Sequence, residues 1–114
     1  MTEISTQPRK DDAPTRAGLR VVFLITVAPE DQDRFLDAYD QIRFRVAERP
    51  GHLCDQVGRS TDDPTRWVIT SEWATRHDFE SWERSAEHRE LVAPMRALLS
   101  APVSLRFEVH RETR

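Results

Sequence analysis

Between Val68 and Leu99 the chain reads VITSEWATRHDFESWERSAEHRELVAPMRALL, and Glu72, Trp73, Trp82 and His88 fall within it. These side chains suit proton transfer beside an aromatic ring. An imidazole titrates close to neutrality, so His88 can act as a base or orient a substrate hydroxyl. Indole rings offer a flat apolar surface on which a polyphenolic ring stacks. Trp67 and Tyr39 extend the set. His52 follows Pro50-Gly51 and can point into a cavity between a sheet and its helices. The candidate catalytic residues are therefore His88 and His52, and the candidate substrate-binding residues are Trp67, Trp73, Trp82 and Tyr39. Each tryptophan equally suits a hydrophobic core, and beneath a layer of helices core and pocket lining can be the same residues. Phe23 and Phe44 carry the same double reading.

The remaining polar candidates read as structural. His77 lies amid charge in the first turn of a short helix and His110 lies near the C-terminus. The 4 histidines include no i, i+4 pair, so no metal site is expected. Cys54 is the only cysteine, which rules out an internal disulfide or a multi-cysteine metal site and fits a reducing cytoplasm. It has no basic neighbour to lower its pKa and reads as an inert small residue. Glu72 and Arg106 fall on strands, at positions that alternation can bring to a dimer-facing side as a structural ion pair.

With 114 residues the chain has room for one domain and one modest core, and oligomerisation is a common remedy for small cores. A formal net charge of −3 excludes the basic stripe that nucleic acid selects. No apolar run approaches the roughly 20 residues of a membrane span. The opening MTEISTQPRKDDAP contains no apolar h-region, so it is not read as a secretory signal. Residues 1–17 are polar, with Ile4 the only large apolar side chain beyond Met1. They read as a disordered tail. Residues 18–114 read as the folded domain.

The elements that must position the candidates follow from periodicity. Leu19–Val27 is a continuous, β-branched apolar run and reads as a buried strand. Pro29 then opens a helix whose Phe35, Tyr39, Ile42 and Val46 share one face, and Pro50-Gly51 ends it. His52–Arg59 reads as a second strand. Arg66–Trp73 reads as a third, with Trp67, Ile69, Ser71 and Trp73 on one face and Val68, Thr70 and Glu72 on the other. Thr75 and Asp78 resemble a capping box at the start of a short helix carrying Phe79 and Trp82. Ser85 caps a further helix with Leu91, Met95, Leu98 and Leu99 as its apolar stripe, which Pro94 should kink or divide. Val103–Val109 alternates as the last strand. The order is β-α-β-β-α-β, an α+β, ferredoxin-like arrangement with an antiparallel sheet and helices on one face. The other face needs a cover, and a second copy of the chain is the simplest one. A homodimer with its sheets face to face is expected.

Several motifs now resemble a known family. They are PGHL at Pro50–Leu53, the run Asp63, Trp67, Trp73, the pair Phe79 and Trp82, and the set Ser85, His88, Leu91. In this order they look like the antibiotic biosynthesis monooxygenase family, over roughly Leu19 to Val109. The resemblance implies a dimeric α+β barrel. It also implies a cofactor-independent monooxygenase that oxidises a polycyclic phenol or anthrone of polyketide type with molecular oxygen, without metal or flavin. The alternatives are a polyketide cyclase-like enzyme and a non-catalytic accessory protein that binds an aromatic intermediate. A haem-degrading branch of the family resembles the chain less. It uses a first-strand asparagine and a histidine ten residues beyond the helical tryptophan, whereas this chain has no asparagine and carries Val92 ten residues after Trp82.

Overall fold

Residues 16–114 are described by a computed structural model; the greater part of the expected tail, residues 1–15, lies outside the described residues. The strands are β1 (Leu19–Val27), β2 (His52–Arg59), β3 (Arg66–Trp73) and β4 (Leu99–Glu108). The helices are α1 (Gln32–Val46), α2 (Arg76–Glu83) and α3 (Ala86–Arg96). All strand pairings are antiparallel, in the order β2-β3-β1-β4. This is the ferredoxin-like α+β fold that the pattern of elements predicts.

Alternation along β1 decides which face the helices cover. Leu19, Val21, Ile25 and Val27 are buried, while Arg20 is exposed and Val22 and Leu24 are only half-buried. The buried set meets Phe35, Tyr39, Ile42 and Val46 of α1, Phe79 and Trp82 of α2, and Val92 and Met95 of α3 in one core. At one end Phe35 meets Trp67 edge-on, with ring centroids 5.2 Å apart. At the other end Trp73 meets Phe79 at 5.6 Å. Six residues of extended chain separate the two tryptophans, roughly 20 Å at strand rise.

Gly51 joins α1 to β2 with φ 83°, a left-handed conformation that costs glycine nothing. A Cβ there would meet the Asp78 side chain at 2.1 Å, so the turn also needs glycine for space.

Two local expectations are corrected. The α3 helix runs through Pro94 to Arg96 without division. Proline lacks only one donor, and it falls in the last turn, where little helix remains beyond it to disrupt. The last strand begins at Leu99 rather than Val103, so Leu98 and Leu99 leave the helical stripe and Leu99 pairs with Val27. The early start was hidden by a β-bulge: Ala101 and Pro102 stand opposite the single residue Ile25, and Ala101 takes φ 50°.

Candidate active site

A cavity of about 180 Å³ lies between the sheet and the helices. Its walls are mainly apolar and aromatic, with Phe23, Trp73, Phe79 and Trp82 among the rings and Val21, Ile69 and Met95 between them. Polar groups also line it. Tyr39 and Asp55 form a hydrogen-bonded pair, Glu83 and Arg106 an ion pair, and His88, Arg96, Ser71 and Ser104 complete the polar lining.

His88 is placed by capping. The Ser85 hydroxyl accepts a hydrogen bond from the His88 backbone N–H at 3.1 Å and donates to the Trp82 carbonyl at 2.7 Å. One hydroxyl thus joins the end of α2 to the start of α3. The imidazole of His88 then meets the Trp82 ring edge-on at 5.3 Å. Burial holds the His88 pKa below the ordinary histidine value, and the nearby Arg96 and Arg89 cations add to this while Glu83 opposes it. At neutral pH the ring is therefore uncharged and can accept a proton. Replacing Ser85 by alanine is expected to destabilise the domain by about 1 kcal/mol, as loss of an N-cap does. Urea unfolding at constant m-value checks this.

Tyr39 has the opposite character. Its hydroxyl donates to Asp55 Oδ2 at 2.6 Å. Burial, followed by that bond and the Asp55 charge, raises its pKa, so the phenol stays protonated and acts as a donor. Asp55 also lies 3.5 Å from His52 Nε2. His52 itself does not line the cavity. Its side chain is buried, packs edge-on against Trp73 at 5.1 Å, and leaves Nε2 without a hydrogen bond. It touches the cavity wall only through Trp73 and Asp55. A register shift between His52 and Cys54 accompanies this placement at the start of β2.

The structure therefore brings His88, Trp73, Trp82 and Tyr39 to one cavity. Trp67 stays at the Phe35 end of the core, outside it, with its indole N–H buried and unpartnered. Phe23 lines the cavity, whereas Phe44 is 64% exposed. His77 and His110 are exposed. Glu72 pairs across the sheet with Arg20 at 3.7 Å on the uncovered face. The expected Glu72–Arg106 contact does not form, because Arg106 stands opposite Val21 and so turns toward the helices. There Arg106 pairs with Glu83 and lies 5.0 Å from the Phe79 ring centre. Asp55, Ser71, Glu83, Arg96, Ser104 and Arg106 are the polar lining residues that sequence reasoning missed as site residues. The signal for Arg106 was the strand pattern Val103, Leu105, Phe107 against Ser104, Arg106, Glu108, in which the two sets must face opposite ways.

Among the described residues, no three His, Cys, Asp or Glu side chains converge as a metal ion would require. No helix among them is long and apolar enough to cross a membrane.

Comparison with known proteins agrees with this architecture. A family model described as antibiotic biosynthesis monooxygenase matches residues 18–94, and the chain belongs to that family. It is 44% identical over 95 residues to a 42.8 kDa protein in the whiE locus of Streptomyces coelicolor, a match covering 83% of this chain and 24% of that protein. It is 40% identical over 95 residues to the polyketide synthase CurD of Streptomyces cyaneus, covering 83% and 25%. The chain thus spans about a quarter of the length of these curated relatives. Among solved structures it resembles SnoaB, a cofactor-independent oxygenase from Streptomyces nogalater, with TM-score 0.72 and 19% identity over 85% of this chain and 97% of that one. At that identity the likeness speaks for the fold.

Proposed function

We propose that this member of the antibiotic biosynthesis monooxygenase family oxidises an aromatic, polyketide-type phenol or anthrone with molecular oxygen, using no cofactor. One observation carries the reading: the His88 imidazole, half-buried and edge-on to Trp82, lines a mainly apolar and aromatic cavity that Arg96 and Arg106 also line. The 40% identity to a protein named polyketide synthase CurD supports the substrate class.

The chemistry runs as follows. An anthrone ring carbon is acidic because its carbanion spreads into the fused rings and the carbonyl. Neutral His88 accepts that proton. Trp82, Trp73 and Phe79 hold the planar anion by stacking, and the Arg106 guanidinium, which has donors beyond those engaged by Glu83, favours the charge that develops on oxygen. The delocalised anion passes one electron to dioxygen, and the two radicals combine at carbon as a peroxide. The peroxide takes back the proton held by His88, and loss of water, with the remaining C–H hydrogen, leaves a carbonyl. One oxygen atom enters the product, the other leaves as water together with the two hydrogens of the ring CH₂, and no external reductant is consumed. Tyr39, kept protonated, contributes a polar wall and no base.

Oxygen uptake with 1,8-dihydroxyanthrone tests this. One O₂ consumed per quinone formed, with no conversion under strict anaerobiosis, is the expected result. Conversion that proceeds unchanged without oxygen would point to a cyclase-like reaction and sink the oxygenase reading. Binding in air without turnover would instead identify an accessory protein that holds an aromatic intermediate.

The uncovered sheet face supports a homodimer as part of this proposal. Val103, Leu105 and Phe107 of β4 are 47%, 39% and 51% exposed. Val22 stands opposite Leu105, and Leu24 lies between Val103 and Val68. A contiguous apolar face of this kind is rare on a free monomer. Replacing Leu105 by arginine is expected to convert a dimer of wild-type chain into monomer in analytical ultracentrifugation. An unchanged sedimentation coefficient would place the interface elsewhere.

A further inference from the structure

We propose that the pocket adjoining the cavity, between the end of α3 and the bulge of β4, receives a negatively charged oxygen substituent of the aromatic substrate, held by Arg96. This deepens the reading above and rests on it for the aromatic part of the ligand.

This pocket adjoins the main cavity, and Phe23, Arg96 and Ser104 line both. Leu99 and Pro102 complete its rim. The bulge belongs to the same place. Ala101 and Pro102 stand opposite Ile25 alone, and Ala101 takes a φ of 50° that costs a residue with a Cβ about 1 kcal/mol or more. Such strained bulges concentrate where a strand must re-aim a wall beside a site.

Charge matching within the cavity singles out Arg96. Asp55 receives the Tyr39 hydroxyl. Glu83 and Arg106 bind each other. Among the described residues Arg96 is the cationic lining residue that no carboxylate pairs with. Arg96 is exposed at the mouth that the two pockets share, and a cation in the last turn of α3 also suits the helix dipole. Its positive charge is also one of the influences that hold the His88 pKa down. A guanidinium offers two parallel donors to a carboxylate, and the Ser104 hydroxyl adds one more donor at the same mouth. The aromatic rings of the ligand then extend inward past Phe23 toward Trp73 and Trp82. Arg96 is thereby a specificity residue. It selects acidic aromatics and sets which ring faces His88.

Calorimetric titration at pH 7.5 with three probes tests the assignment. These are 3-hydroxy-2-naphthoate, its methyl ester, and 2,4-dinitro-1-naphtholate. Wild-type protein is expected to bind at least one of the two anions roughly tenfold more tightly than the ester. The naphthoate would identify a carboxylate as the preferred group and the naphtholate a phenolate. In Arg96→Gln that preference disappears while binding of the ester is retained; in Arg96→Lys it survives in part. Arg89→Gln, an α3 arginine outside the cavity lining, keeps the full preference. Equal binding of anions and ester by the wild type, failure of all three probes to bind, or an undiminished preference in Arg96→Gln would overturn the proposal. The titration needs no turnover, so its failure and the failure of the oxygen-uptake assay are separate results.

Discussion

Replacing His88 by glutamine is expected to lower kcat for the oxidation by about 10²–10⁴-fold, the usual contribution of a positioned general base. Glutamine keeps a polar side chain of similar reach but cannot take up a proton. The cap is left intact, because Ser85 binds the backbone N–H of residue 88 and not its side chain. Far-UV dichroism and the unfolding midpoint should therefore change little, which separates a chemical effect from a structural one. The pH profile supplies a second signature. Burial, with Arg96, holds the His88 pKa below the ordinary histidine value, and the uncharged form is the base. Activity should stay level as pH falls toward that ordinary value and decline only below it, as the imidazole takes up its proton. The acid limb should vanish in His88→Gln. A variant that keeps both its rate and its acid limb would remove His88 from the mechanism.

Most strands and helices were legible because each has one period and a clear stop, the junction of α3 and β4 excepted. Leu19–Val27, His52–Arg59 and Arg66–Trp73 match the expected bounds, and Thr75 and Ser85 cap the helices that they were expected to cap. What could not be read depends on register. Period-2 alternation sorts a strand into two faces but does not say which face meets the helices. In β4 the apolar set, Val103, Leu105 and Phe107, points to the uncovered side, and the polar set, Ser104 and Arg106, points into the cavity. That is the reverse of ordinary amphipathic burial. The inversion follows if the uncovered face must itself be buried by a partner and the cavity must carry charge. Position along the strand was equally hidden: Trp67 and Trp73 share a face, yet only Trp73 reaches the cavity. His52 is a third case, since its placement goes with a register shift beside Cys54 that no local motif announces.

Phe35→Ala is expected to destabilise the domain by about 3–5 kcal/mol, the range for removing a fully buried aromatic ring. The Phe35 side chain is completely buried, and its ring packs edge-on against Trp67 at the end of the core away from the cavity. A domain of this size commonly has only about 5–15 kcal/mol in total, so the variant should unfold at much lower urea concentration with an unchanged m-value. Its catalytic effect should be small once activity is corrected for the folded fraction, because no cavity-lining group is removed. His88→Gln predicts the reverse pattern, a large loss of rate with little loss of stability. The two variants together test a division of labour along one sheet, with the Phe35–Trp67 end supplying cohesion and the Trp73–Trp82 end supplying the site. The division fails if Phe35→Ala lowers kcat of the folded fraction as much as His88→Gln does, or if its cost falls below about 1 kcal/mol. In the first case the core transmits strain directly to the cavity; in the second the Trp67 end collapses to refill the space that the ring leaves.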